Sequence, residues 1–431
     1  MKTNIVSVLA RRIWDSRGRP TVEVDVVLAN GMRGRGVAPA GASRGSREAV
    51  DLRDGGDWLD GFDVQTALSS VNDHIAHRLD GMDAMDQPAI DEALIEMDGT
   101  PTKERLGGNA TIATSLAVLH AAAASAGQPL WRYLAGGEPV RMPLPQIQIF
   151  GGGAHAGRRV DVQDFLIMPL GAATFEEAMV MTANVYRTAG DLMDGMGRRC
   201  GVADEGGWWP DFKSNEEAIE TLARAIETAG YREDQVAIAL DIAASEFGSK
   251  GRYTLGLDRR TYDTGEWIEQ LLGWVARYPI VSIEDPVAED DPRGMRLFTA
   301  LAGNRIQVVG DDFLVTNAGL VQKAIAAGSC NAVLLKPNQS GTVTETRRAM
   351  EVAREAGWGT IVSARSGETE DVAIAHLACG WNTGQLKVGS FARSERMAKW
   401  NECVRIEAEM AGGVYAGRGA LPVDVTAISR T

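Results

Sequence analysis

Six short apolar runs in the second half of the chain each lead into a charged residue. They are VAIALDIAASEF (Asp241), PIVSIEDP (Glu284), IQVVGDD (Asp311), NAVLLKPN (Lys336), TIVSARSG (Arg365) and GQLKVGS (Lys387). These residues are spaced by 43, 27, 25, 29 and 22 positions. Runs of this kind, each followed by helical spacing and a Gly, predict buried parallel strands alternating with helices. About 25 residues make one βα unit, so the series predicts a β/α barrel. Barrel chemistry sits at the C-terminal strand ends, where the charges fall. Three acids, two lysines and an arginine are therefore expected to converge on one mouth.

The first third reads differently. Residues 4–15 and 20–29 predict two strands; the second alternates Val22, Val24 and Val26 with Glu23 and Asp25 before an Asn30-Gly31 turn. MRGRGVAP predicts a third strand, leading into the loop GASRGS at 41–46. Val64, Leu68, Val71 and Ile75 share a helical face, and 112–126 predicts an Ala-rich helix closed by Gly127. The fold class is thus α/β: a three-stranded α+β domain over 1–138, then a β/α barrel over 139–431. Gly136-Gly137-Glu138-Pro139 marks the boundary. GMRGRG at 31–36 lacks dinucleotide-motif spacing and reads as a turn. FGGGAHAG at 150–157 lacks a P-loop's Lys-Ser/Thr and reads as a mobile loop carrying His155.

Composition narrows the partners. A net charge of −14 argues against nucleic acid or an anionic membrane, while leaving room for a small anion in a local cationic pocket. Cys200, Cys330, Cys379 and Cys403 are scattered and read as buried reduced thiols, and the N-terminal apolar stretch is soon broken by Arg11 and Arg12. A cytoplasmic protein is expected. Only 8 of the 44 basic residues are Lys, so Lys336 and Lys387 at strand ends stand out. A strand-end Lys alone is often a solvated charge; unlike Arg, it can lose its proton when its pKa is depressed.

Asp241, Glu284 and Asp311 offer three hard oxygen ligands. Converged carboxylates repel one another unless a cation neutralises them, and with no His or Cys in the set Mg²⁺ is the natural ion.

DSRGRPTVEVDV, GASRGSREAVDLRDG, VADEGGWWP, LDIAASEF, SIEDP, GDDFLVTN, LLKPNQSG, RSGETED and GQLKVGS resemble the enolase family, in the family's order and over nearly the whole chain. The resemblance implies an enolase-type β/α barrel behind a three-stranded α+β domain, assembled as a homodimer or higher homo-oligomer. It implies Asp241, Glu284 and Asp311 as primary Mg²⁺ ligands, with Ser43 as loop ligand of a second Mg²⁺. Lys336 matches the base that takes the proton α to the substrate carboxylate, and Glu205 the general acid for the departing hydroxyl. Arg365 and Ser366 match contacts to the substrate phosphate, Lys387 the partner of its carboxylate, and His155, Gln163 and Asp164 further substrate-side residues. On this reading cations depress the Lys336 pKa and burial among acids keeps Glu205 protonated.

Departures from the family pattern cluster at the site. SHRSGETED reads SARSGETED, placing Ala364 where a His is expected; GGEHADNN reads GGAHAGRR, with Ala154, Arg158 and Arg159; QEF reads QDF; and the 40–44 loop carries Ala40 and Arg44. Lost bulk and the added Arg44, Arg158 and Arg159 suit an extra anion site. The expectation is a specialised paralogue resembling carboxyphosphonoenolpyruvate synthase of phosphonate biosynthesis, acting on a phosphorylated three-carbon acid with a second anionic or nucleotide-linked substrate. The alternatives are a housekeeping phosphopyruvate hydratase of glycolysis and an inert homologue serving as a binding protein.

Overall fold

The computed structural model describes residues 2–410 and 413–425; the end of the expected barrel domain, 426–431, lies outside them. Strands β1 (Ile5–Trp14), β2 (Pro20–Leu28) and β3 (Arg33–Val37) form an antiparallel sheet in sequence order. Val22, Val24 and Val26 point into the core, as their alternation requires. The helix Gly108–Ser125 packs on this sheet. It comes so close to β3 that a Cβ at Gly34 or Gly36 would lie 2.1 Å from Ala117 O or 2.3 Å from Ala113 O. These two glycines therefore belong to a strand under a small-residue helix, and only Gly31 of GMRGRG takes the positive φ of a turn.

Eight strands close a barrel: Leu144–Gly151, Asp164–Met168, Ala237–Asp241, Ile280–Glu284, Gln307–Gly310, Ala332–Leu335, Gly359–Ser363 and Gly384–Ser390. The last six are the six apolar runs. The second strand runs antiparallel to both neighbours, pairing Gly151 with Asp164 on one side and Asp164 with Asp241 on the other. All other barrel pairings are parallel. The reversal has a functional consequence: it brings the first residue of the second strand, Asp164, to the mouth where the other strands end.

The two parts are tied together through Asp91, which is fully buried. Its carboxylate accepts from Thr344 N (2.8 Å) and Thr344 Oγ1 (2.6 Å) of the barrel and from Ser115 Oγ (2.6 Å) of the long helix. Cys330, Cys379 and Cys403 are buried free thiols; Cys200 is exposed, contrary to expectation, because it sits in a surface loop after the helix Phe175–Gly195. Among the described residues no helix is long and apolar enough to cross a membrane.

Candidate active site

At the barrel mouth a small cavity is lined by Ser43, His155, Gln163, Asp164, Glu205, Asp241, Lys336, Ala364, Arg365, Ser366 and Lys387, among others. Lys387 Nζ donates to Asp241 Oδ2 (2.7 Å) and Glu284 Oε2 (2.9 Å) and lies 3.3 Å from Asp164 Oδ2. Lys336 Nζ donates to Asp311 Oδ2 at 2.5 Å, and Gln163 Nε2 to Asp241 Oδ2 at 3.1 Å. A register shift after Lys387, with Gly389 at φ 111°, kinks the last strand beside Glu205.

The acids divide between the two lysines. Asp241 and Glu284 share Lys387, while Asp311 holds Lys336. Among the described residues the tight triads, with ligand atoms within 4.8 Å, are His155–Asp164–Glu205 and Asp285–Asp311–Asp312. The expected trio is not one of them, because each lysine draws its own acids.

Even so, the residues fit a hard dication. Glu284 Oε1 is buried with no hydrogen-bond partner. Burial, and then Asp241 nearby, push the Glu284 carboxyl well above its usual range; burial and Asp312 do the same to Asp285. Burial and Asp311 raise Asp312 to about 8. The mouth holds more acid than its ammonium groups neutralise, and all of it is oxygen. The enolase family generally uses Mg²⁺.

In the metal-free protein burial favours loss of the Lys336 proton, but Asp311 and Glu284 outweigh it, so the Lys336 pKa is raised; the expected lowering belongs to the cation-loaded site. The expectation for Glu205 is corrected. Burial likewise raises Glu205, but His155, Arg396, Lys387 and Lys336 together hold it below the usual carboxylate value. Its neighbour Asp164 goes the other way: burial lifts it to about 6 against the pull of Lys387. Gln148 joins the pair, donating from Nε2 to Asp164 Oδ1 (2.5 Å) and Glu205 Oε2 (3.4 Å) while its Oε1 accepts from Gly207 N (2.9 Å). His155, expected on a mobile loop, is buried in a short helical turn with Nε2 3.8 Å from Glu205 Oε1.

Arg365 is buried against Glu48 (2.8 Å) and donates to Ser43 O (2.8 Å); Ser366 Oγ accepts from Ala42 N (2.6 Å) and Arg17 Nη1 (3.2 Å). The 41–46 loop is thereby fastened to the anion-contact pair. Arg44, Arg158 and Arg159 do not converge. They pair with Asp51 (3.9 Å), Glu246 (2.7 Å) and Asp211 (2.5 Å), and none lines the cavity. The three arginines therefore form no joint anion site: Arg158 and Arg159 each pair with an acid, and Arg44 stands half-exposed near Asp51, which Arg53 holds at 2.9 Å.

Sequence reasoning passed over Gln148, Glu48, Asp285, Asp312 and Arg396. Asp285 (φ 39°) accepts from Asp311 N and Asp312 N at 2.9 and 2.7 Å and so shapes the turn that presents Asp311. The doubled acids Glu284-Asp285 and Asp311-Asp312 were the available signal; Gln148 and Arg396 gave none.

An eight-stranded barrel with one reversed strand, behind a three-stranded sheet and with lysines facing acids at its mouth, defines a class. The chain matches "Enolase, N-terminal domain" over residues 5–134 and "Enolase, C-terminal TIM barrel domain" over 139–422. It belongs to the enolase family, whose members are lyases. It is similar to "Enolase 1" of Desulfitobacterium hafniense (strain Y51), with 49% identity over 426 residues covering 96% of this chain and 98% of that protein.

Proposed function

We propose that this protein is a Mg²⁺-dependent phosphopyruvate hydratase that converts 2-phosphoglycerate to phosphoenolpyruvate and water. The observation that carries this reading is Lys336 and Lys387 in one buried cavity with Asp241, Glu284 and Asp311 beneath them and the Glu205–Asp164 pair beside them. Lys336 Nζ, once unprotonated, takes the proton from C2. Lys387 faces the substrate carboxylate, and Arg365 and Ser366 face the phosphate. The hydroxyl on C3 leaves as water with a proton from the Glu205–Asp164 pair, of which Asp164 holds its proton more tightly. Asp241, Glu284 and Asp311 would hold one Mg²⁺ and Ser43 a second, and the ions would supply the positive charge that offsets the dianionic ene-diolate.

The same reading divides the chain at 138/139 and includes a homodimer, supported by Val6, Leu9 and Trp14, each more than half exposed along β1. Cytoplasmic residence fits three buried free thiols.

A second reading, the carboxyphosphonoenolpyruvate synthase-like paralogue, rests on Ala364. This residue lines the cavity where the family pattern has His. The separation of Arg44, Arg158 and Arg159 weakens it. A spectrophotometric assay of enolpyruvate formation from 2-phosphoglycerate decides between the two. Turnover of roughly 1–1000 per second is expected. Background rates raised by a second anionic substrate would favour the paralogue, and background rates under all conditions would leave only the inert homologue. Ala364→His should raise turnover if the missing imidazole limits the rate.

A further inference from the structure

Arg396, on the helix Ser394–Glu409, is fully buried yet does not line the cavity. Its guanidinium serves three segments of the mouth at once. Nη1 donates to Arg365 O (2.6 Å) and Val388 O (2.9 Å), Nη2 donates to Ser366 O, and Nη1 lies 3.9 Å from Glu205 Oε1. Its Nε makes no hydrogen bond. The three segments carry the anion-contact pair, the neighbour of Lys387, and the Glu205 side of the leaving-group pair. Packing around them is close: a Cβ at Gly389 would lie 3.0 Å from Glu205 Cβ and 3.1 Å from Arg396 Cδ.

Burying a guanidinium among carbonyls is costly even with Glu395 Oε1 3.5 Å from Nε and Glu205 Oε1 3.9 Å from Nη1 as counter-charges, and an apolar side chain of similar length would fill the same space. What an apolar residue lacks is the planar fork. By gripping the carbonyls of two successive residues, the fork fixes the peptide orientation from which the Arg365 and Ser366 side chains depart. The N-terminal loop fastens the same pair from above, through Ser43 O, Ala42 N and Arg17.

We propose that Arg396 is a positioning residue that sets the anion-contact pair, Lys387 and Glu205 in register for the elimination. The proposal rests on the hydratase reading and deepens it. It is tested in the full chain with Mg²⁺ and 2-phosphoglycerate, using Arg396→Gln, Arg396→Lys and Arg396→Ala. Turnover of Arg396→Gln should fall about 100-fold, the scale of a misplacement near 1 Å. Arg396→Lys should fall nearly as far, because its donors radiate from one nitrogen and cannot reproduce the planar spread by which Nη1 and Nη2 reach Arg365 O, Val388 O and Ser366 O. Free guanidinium ion should restore part of the Arg396→Ala rate without raising its melting temperature.

Amide hydrogen exchange gives a readout that needs no turnover: in Arg396→Lys it should quicken at 203–206, 365–367 and 388–391 and stay unchanged in the rest of the barrel. Turnover of a folded variant within threefold of the parent would overturn the proposal. So would losses that track melting temperature across the three variants, or a uniform rise in exchange. If the parent itself does not turn over 2-phosphoglycerate, the hydratase reading fails, and the locality of the exchange change still decides the role of Arg396.

Discussion

The mouth and the floor of this barrel are built from the same strands and differ in almost every physical respect. Gln385 and Lys387 stand two residues apart on the last strand, so both point inward. At the floor, Gln385 and Gln307 exchange amide bonds (2.7 and 3.1 Å), Gln146 donates to Gln385 (2.9 Å), and Gln307 donates to Ser282 Oγ (3.0 Å). These neutral groups satisfy one another. At the mouth, Glu284 keeps an unpartnered oxygen and several carboxyls are held far from their usual range. Ala243, Asp285, Val315 and Thr316, all on loops after barrel strands, take positive φ. Closing a barrel needs only the floor's kind of interior. The mouth's strain and excess charge are concentrated where chemistry is expected.

The sharpest way to test that contrast is Lys336→Ala. It should abolish exchange of the C2 hydrogen of 2-phosphoglycerate with solvent deuterium, a loss of roughly 10³-fold or more for a positioned base. NMR of the recovered substrate reads the exchange. Mg²⁺ uptake, followed by calorimetry, should persist. Exchange at the parent rate would remove Lys336 from the chemistry.

Glu284→Gln comes next, because it sets function against stability. Mg²⁺ affinity in calorimetry should fall at least tenfold, and turnover with it. The metal-free variant should melt no lower than the parent, since a crowded acid is relieved and a carbonyl remains to accept from Lys387. A variant that melts several degrees lower would mean that the mouth acids serve the fold after all.

At the floor the expectation reverses. Gln385→Leu leaves the amides of Gln146 and Gln307 short of partners and should cost about 1–3 kcal/mol in denaturant unfolding. Its Michaelis constant and turnover should match the parent's at temperatures where it is folded. A tenfold fall in turnover would show that the two ends are mechanically coupled.

The difference between the ends also explains what could be read from residue order. Strand–helix alternation and charges at strand ends leave a periodic trace, so the last six strands and Asp241, Glu284, Asp311, Lys336, Arg365 and Lys387 were legible. The first two strands were not: LPQIQIFG breaks its apolar run with glutamines that belong to the floor and mouth networks. The reversal of Asp164–Met168 depends on a hairpin closed by the irregular 152–163 segment. Arg396 lies in the first turn of its helix among other charges, and its burial follows from how that helix docks. Arg158 and Arg159 misled for a related reason, since loop position says nothing of which nearby acid a long side chain meets.

The smallest expected effect is a pH dependence that only the mouth should show. Asp164 is raised to about 6 and Asp312 to about 8, above an unfolded carboxyl near 3.9. A carboxyl whose pKa is higher in the folded state binds more protons there than when unfolded. Its contribution is therefore full below the unfolded value and is lost as pH rises through the folded one. In chelator, melting temperature should fall by a few degrees between pH 5 and pH 8.5, with Asp312 responsible for the upper part of the slope. Asp312→Asn should flatten that upper part, whereas Gln385→Leu should shift the whole curve downward without changing its shape, because no floor amide titrates. If Asp312→Asn leaves the slope above pH 6.5 intact, or Gln385→Leu alters it, the division between a charged mouth and a neutral floor does not govern the stability of this barrel.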